Sequence, residues 1–395
     1  MTTRLFRTDP YLLEFDAQVV TRREHEGQPA VVLDRTAFYA ESGGQPCDTG
    51  TLQGVPVVAV LEDGDAVLHV LAAPLAADLV HGSVDAERRR DHREQHHGQH
   101  LLSRALLDLY RADTVGFHLG REVSTVDLDR EITVEQALAA CRTANDVVWE
   151  ARPVRVRVVS RDEAAALGAP PAPHVGEHVR LVEVEGFDVN PCGGTHPRTT
   201  AEVGLVLVTS IERYKGGSRI GFVCGHRALA LAERRNQALD EIAAILQSPR
   251  EELAAAARQL VERLAETDKR TRDLAEKLLD AEADALLAGC ASFPAVLARV
   301  FVGRSPEELR ILALKLVRRR PCVALLGSRT DKAHVVFAQS EGQPHDIPAL
   351  LRDAVARLGG RGGGRGDVAQ GGGDRLEALD AAIDAAASAV RAGAR

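Results

Sequence analysis

Residues 95–100 read Gln-His-His-Gly-Gln-His, and residues 190–196 read Asn-Pro-Cys-Gly-Gly-Thr-His. The first stretch sits inside a strongly helical segment, residues 87–111, where Leu101, Leu102, Ala105, Leu106 and Leu109 form an apolar stripe. His96 and His100 are four residues apart, a little over one helical turn, so both imidazoles leave the same face and can share one ion. Cys192 and His196 repeat that spacing across Gly193-Gly194, where a turn free to take positive φ brings thiolate and imidazole together. Three nitrogens and one sulfur suit Zn²⁺. The bland readings are a solvated histidine pair and a tight turn around a buried thiol. Neither explains why two distant segments each carry half of a tetrahedral set.

A chain of 395 residues exceeds what one compact core supports and points to two to four domains. The composition, 45% hydrophobic and 27% charged, is that of an ordinary globular protein. No apolar run at the N-terminus resembles a signal peptide, and no stretch is long enough to span a membrane, so a cytoplasmic location is expected. Cys47, Cys141, Cys192, Cys224, Cys290 and Cys322 are scattered without a Cys-x-x-Cys, which reads as reduced thiols. A net charge of −8 argues against a protein that coats nucleic acid indiscriminately, but a local basic patch can still hold a specific polyanion. Arg88-Arg89-Arg90 and Arg318-Arg319-Arg320 are such clusters, with a solvated face as the plain alternative.

The expected fold is α+β and multidomain. Residues 1–85 carry short strands broken by Gly, Asp and Pro turns, the pattern of a small β-barrel or sandwich. Residues 86–225 mix helices with strands at 154–159, 179–184, 203–209 and 219–224, and form the zinc-binding unit. There Thr133 and Gln136 read as a capping box, and the Pro-rich run at 169–174 reads as a surface loop. Residues 226–288 are helical with one break at Ser248-Pro249, where Ser248 is the expected N-cap and Pro249 the first helical residue. A heptad seam through Leu253, Leu260, Leu264, Leu274 and Leu278 allows an antiparallel hairpin or a homodimer. Residues 289–395 read as α/β, with Ser305-Pro306 capping a helix. This unit includes the glycine-rich run 359–373, where backbone amides with Arg361 and Arg365 could hold phosphate; the plain alternative is a linker.

Three segments carry a family resemblance: residues 36–50 around Phe-Tyr-Ala-Glu-Ser-Gly-Gly-Gln, the 95–103 stretch, and residues 187–204. They resemble the editing domain of alanyl-tRNA synthetases and its freestanding long-form AlaX relatives. The 359–373 run is similar to the carboxy-terminal domain shared with DHH-type phosphoesterases. The resemblance implies hydrolysis of alanine tRNA mischarged with serine or glycine. It makes His96, His100, Cys192 and His196 the metal ligands, with Gly43, Gly44 and Gln45 lining the pocket for the esterified 3′ end. Thr36 becomes a candidate sensor of the serine hydroxyl, and Gln45 and Gln99 become candidates for acting at the ester. Arg361, Gly363, Gly364 and Arg365 become candidate tRNA contacts. Where the synthetases usually carry Ser/Thr-Ala-Thr/Ser between the two histidines, this chain has His97-Gly98-Gln99.

A pocket built for alanine cannot sterically exclude glycine, and rejects an added hydroxyl by only ~10²-fold, so a second, hydrolytic site has a clear purpose. Rival readings are a tRNA-binding protein without activity, a phosphoesterase, and a hydrolase using Cys192 as nucleophile. The phosphoesterase reading lacks its Asp-His-His triplet, since Asp91-His92 is followed by Arg93. No class II aminoacylation module is expected ahead of the β-domain.

Overall fold

The structure is a computed structural model that describes residues 1–169 and 176–393, so most of the Pro-rich run lies outside the described residues. The chain is mixed α+β, with several sheets and eight α-helices among the described residues. It divides into two compact units, Met1–Ile242 and Ala243–Arg395.

In the first unit, six strands close into a barrel: Glu14–His25, Gln28–Leu33, Ala66–Leu71, Val55–Asp63, Gly50–Leu52 and Leu79–Val84, in that spatial order. Alternation sets the inward face, so Phe15, Ala17 and Val19 are buried while Glu14, Asp16 and Gln18 point out. Leu33, Phe38, Leu52, Val60 and Leu71 fill the interior.

Helix α1 (Ala86–Tyr110) follows directly, capped by Asp85, whose carboxylate accepts from the backbone N–H of Glu87 and Arg88. Its stripe of Leu101, Leu102, Ala105 and Leu106 packs on Ala137, Ala140, Ala144 and Val148 of α2 (Val134–Trp149). Leu109, expected in that stripe, is exposed instead. The same core meets a four-stranded sheet ordered Val206–Tyr214, Gly217–Cys224, Ser124–Leu128, Thr114–His118. The close approach is made at Gly98, where an added Cβ would sit 2.2 Å from the Cys224 Sγ. The arginine run 88–90 is not a uniform solvated face. Arg89 is 1% exposed and grips Asp48, with Nε 3.0 Å from Oδ2, while Arg88 Nε donates to the Cys47 carbonyl at 2.8 Å. These two side chains clamp the barrel loop 43–48 against α1.

A three-stranded sheet, Val154–Ser160, His178–Val184 and Asp188–Pro191, with the short helix α3 (Arg161–Ala166) following its first strand, completes this part of the unit. Its last strand runs straight into Cys192. Val203, expected at the start of a strand, lies in the 3-10 turn Thr200–Val203, and the strand begins at Val206.

The boundary between units falls within α4 (Gly225–Leu246), which precedes α5 (Leu253–Ala288). The Ser248-Pro249 expectation is corrected here. Gln247 takes φ +49°, its N–H bonds to the Ala244 carbonyl, and the Ser248 N–H bonds to Ala243. That pair closes α4 in a Schellman motif, so Ser248 ends one helix and does not cap the next. A 3-10 turn, Arg250–Glu252, leads into α5. Within the second unit α5 leaves Leu260, Leu264, Leu274 and Leu278 exposed and enters the core through Leu279, Ala283 and Leu287.

A five-stranded sheet forms the rest: Ala295–Val302, Cys322–Arg329, Ala333–Gln339, Val368–Gly373, Arg361–Arg365. Helix α6 (Pro306–Arg319) starts at a Ser305/Glu308 capping box and covers one face together with α5. Helices α7 (Ile347–Arg357) and α8 (Leu379–Gly393) cover the other. The glycine-rich run is neither a linker nor an amide cradle; it forms an antiparallel hairpin turning at Gly366.

Candidate metal centre

Helix α1 presents His96 and His100 on one face, and the turn after Asp188–Pro191 carries Cys192 and His196 to meet them. The four ligand atoms lie within 4.8 Å of one another. The Cys192 Sγ is 3.3 Å from His96 Nε2 and 3.2 Å from His196 Nε2. A metal bound by nitrogen and sulfur at 2.0–2.3 Å has donor–donor edges of roughly 3.5 Å, so the four groups fit one small ion. His96, His100 and His196 are buried, and Cys192 is partly exposed.

The outer ring nitrogens are engaged as well. His96 Nδ1 donates to Gln45 Oε1 at 2.7 Å, and the same oxygen accepts from the Thr195 N–H at 3.1 Å, while Gln45 Nε2 reaches Thr195 Oγ1 at 3.0 Å. His100 Nδ1 faces Asp188 Oδ2 at 3.8 Å. His196 Nδ1 lies 3.1 Å from His97 Nδ1. Such partners fix which nitrogen is free for a metal. Burial by itself disfavours a thiolate at Cys192, yet the surrounding imidazoles hold its pKa well below the ordinary thiol range. Burial likewise disfavours charge on His100, but the Asp188 carboxylate and Cys192 sulfur outweigh it and push its pKa up to about 10. At His196 burial outweighs the neighbouring Cys192 sulfur and pushes the pKa down to about 3.

Neither Gly193 nor Gly194 takes a positive φ, contrary to the expectation for this turn. The second glycine is required for another reason. A Cβ on Gly194 would lie 2.2 Å from His96 Cε1 and 2.8 Å from Gln45 Oε1, whereas Gly193 has open space around it.

A cavity of about 530 Å³ opens beside the four ligands, lined among others by Tyr39, Gly43, Gln99, Ser103, Phe117, Asn190 and Gly193. Gln99 donates from Nε2 to Ser103 Oγ at 2.8 Å. Of the expected pocket residues, Gly43 lines the cavity, whereas Gln45, Thr36 and Gly44 do not. Gln45 is 0% exposed and both ends of its amide are taken by the metal-site residues. Thr36 is 0% exposed inside the barrel, where its hydroxyl meets His69 Nε2 at 2.8 Å and accepts from the Phe38 N–H. Gly44 takes φ +82° and packs against Phe117. Asp188, Thr195 and His97 were not singled out in the sequence, because each matters through a partner that only the fold supplies. Arg361 and Arg365 lie exposed at the two ends of the outermost strand of the second unit, with Gly363 and Gly364 between them.

Comparison with known proteins adds a second line. Residues 179–221 match the threonyl and alanyl tRNA synthetase second additional domain, residues 294–392 the DHHA1 domain, and residues 10–88 the class II (A) tRNA synthetases. Alanyl-tRNA editing protein AlaX-L of Pyrococcus horikoshii is 29% identical over 393 residues, covering 96% of this chain and 95% of that protein. The chain resembles the long-form AlaX editing proteins over nearly its whole length. It is also 33% identical to the alanine–tRNA ligase of Natronomonas pharaonis, aligned across 99% of this chain but only 44% of the ligase, so it spans less than half of that relative. Among solved structures, the C-Ala domain of Aquifex aeolicus alanyl-tRNA synthetase aligns with 24% of this chain and 89% of its own, at 32% identity and a TM-score of 0.23.

Proposed function

We propose that the chain is an aminoacyl-tRNA deacylase that hydrolyses the ester of alanine tRNA mischarged with serine or glycine. The observation that carries this is the convergence of His96, His100, Cys192 and His196 beside a cavity large enough for an aminoacylated adenosine. The similarity to AlaX-L supports the same reading.

Three imidazoles and a thiolate form a donor set suited to Zn²⁺, which when bound would polarise a carbonyl or orient the aminoacyl group. The protein residues do the rest. Gln45 holds His96 through a hydrogen bond to its outer nitrogen, and the Asp188 carboxylate faces the outer nitrogen of His100. Gln99, tethered through Nε2 to Ser103, keeps its carbonyl oxygen for a pocket water or the substrate ammonium. Phe117 and Gly43 wall the slot, and its shape restricts the side chain that can sit beside the ester. Gln45 therefore acts as a positioning residue, while Gln99 is the one placed to touch substrate. An aminoacyl ester is labile enough that positioning water against it supplies much of the acceleration.

Arg361 and Arg365, exposed on the hairpin edge, would contact the tRNA backbone, and the cytoplasm, where tRNA is charged, is the compartment this reading implies. The four-part organisation expected from the sequence and a homodimer through the exposed leucines of α5 belong to the same proposal. The test is deacylation of serine-charged alanine tRNA by the unaltered chain, His100→Ala and Cys192→Ala. Both variants should lose at least ~10²-fold in turnover while still binding tRNA. Equal turnover in all three would remove the metal centre from the reaction, and no turnover in the unaltered chain would leave a tRNA-binding protein.

A further inference from the structure

His97 lies on α1 between two ligands, is 0% exposed, and has no part in the reaction as described so far. Its Nδ1 faces His196 Nδ1 at 3.1 Å, and its Nε2 is buried without a hydrogen-bond partner among the described residues. A buried polar atom left unpaired calls for an explanation. The partner geometry supplies one. His196 turns Nε2 toward the Cys192 sulfur, 3.2 Å away, so Nε2 is its ligand atom. A neutral imidazole that gives its Nε2 lone pair to a metal carries its proton on Nδ1. That N–H points at His97 Nδ1, which must then accept, and His97 is left with its own proton on the unpartnered Nε2.

We propose that His97 is the positioning residue for His196, acting as a hydrogen-bond acceptor in its Nε2–H tautomer and so completing the orientation of all three imidazole ligands. The other two rings point their outer nitrogens at oxygens, Gln45 Oε1 and Asp188 Oδ2. An oxygen accepts in any state, whereas an imidazole nitrogen accepts in only one tautomer. The buried, unpaired Nε2–H is the consequence of using a histidine for that task. This rests on metal-dependent editing as the function of the centre, but its readouts do not involve substrate.

The experiment uses the full chain, zinc-loaded and ¹⁵N-labelled at histidine. Long-range ¹H–¹⁵N correlation should show the proton of His97 on Nε2; a proton on Nδ1 would overturn the proposal. In competition with a chelator, His97→Phe should bind zinc about 10- to 100-fold more weakly. His97→Asn, whose side-chain oxygen can accept, should recover part of that loss. Zinc affinity within twofold of the unaltered chain in the phenylalanine variant would also overturn it. Should that variant fail to fold, the tautomer measured on the unaltered chain decides. An unaltered chain that binds zinc tightly with His97 in the expected tautomer, yet leaves charged tRNA intact, would reject the editing function and leave this inference standing.

Discussion

Gly193 and Gly194 stand side by side in the Cys-Gly-Gly-Thr-His turn, and the structure gives them unequal importance. Gly194→Ala drives a methyl into the His96 ring and the Gln45 oxygen, while Gly193→Ala meets nothing within 4 Å. Gly194→Ala should therefore abolish tight zinc binding, and Gly193→Ala should change it by less than threefold; equal effects in a chelator competition would contradict the geometry. The four residues that cluster were legible from their spacing and donor type together with the family resemblance. Their supports were not. Gln45 reads in sequence as a residue facing substrate, because its partners His96 and Thr195 lie far along the chain and leave no local signature. Thr36 likewise reads as a free hydroxyl beside a glycine loop, whereas the barrel closes over it and pairs it with His69.

The barrel carries that buried pair into a measurable pH dependence. Burial lowers the His69 pKa from 6.5 to about 4. The folded barrel thus keeps the ring neutral while the unfolded chain takes up a proton below about 6.5. The stabilising difference is full above that pH, drains away as pH falls from about 6.5 to about 4, and amounts to on the order of 3 kcal/mol. His69→Gln removes the titrating ring, so its stability by urea unfolding should fall less steeply across that window. Parallel profiles would show that His69 is not the cause.

At the other end of the chain, the glycines of the hairpin answer to packing. A Cβ on Gly371 would meet the Gly362 Cα and the Val355 Cγ1 at 2.7 Å, whereas Gly363 faces open space. Gly371→Ala should cost at least ~1 kcal/mol and Gly363→Ala close to nothing, read from the thermal transition of the second unit. The glycine run looks in sequence like a flexible or phosphate-cradling loop because glycine carries no strand propensity. The close approach that makes glycine obligatory there comes from the facing hairpin strand and from α7, a pairing that composition does not reveal. Capping signals were easier to read. The Thr133 and Ser305 boxes form as their spacing implies, since such motifs are closed within one turn. Ser248 misleads because the same residue types also end helices.

Across the whole molecule, the alternation of strand and helix was enough to read an α+β chain of several parts. Strands such as Asp188–Pro191 were hidden by their turn-forming residues, although this one delivers Cys192. The net charge of −8 leaves no general basic field, and some arginines are committed to carboxylates within the fold, as Arg89 on Asp48 and Arg227 on Asp91 illustrate. Under the proposed function, nucleic-acid contact would rest on local groups such as Arg361 and Arg365, not on the overall field. In that same proposal, the metal centre in the first unit removes the wrong amino acid from alanine tRNA. The decisive measurement incubates the unaltered chain with alanine tRNA charged with serine, glycine or alanine, each with and without a zinc chelator. The expected result is rapid loss of the seryl or glycyl ester, a spared alanyl ester, and loss of the activity on chelation with recovery when zinc is restored. Persistence of all three esters, or hydrolysis that the chelator leaves untouched, would contradict it.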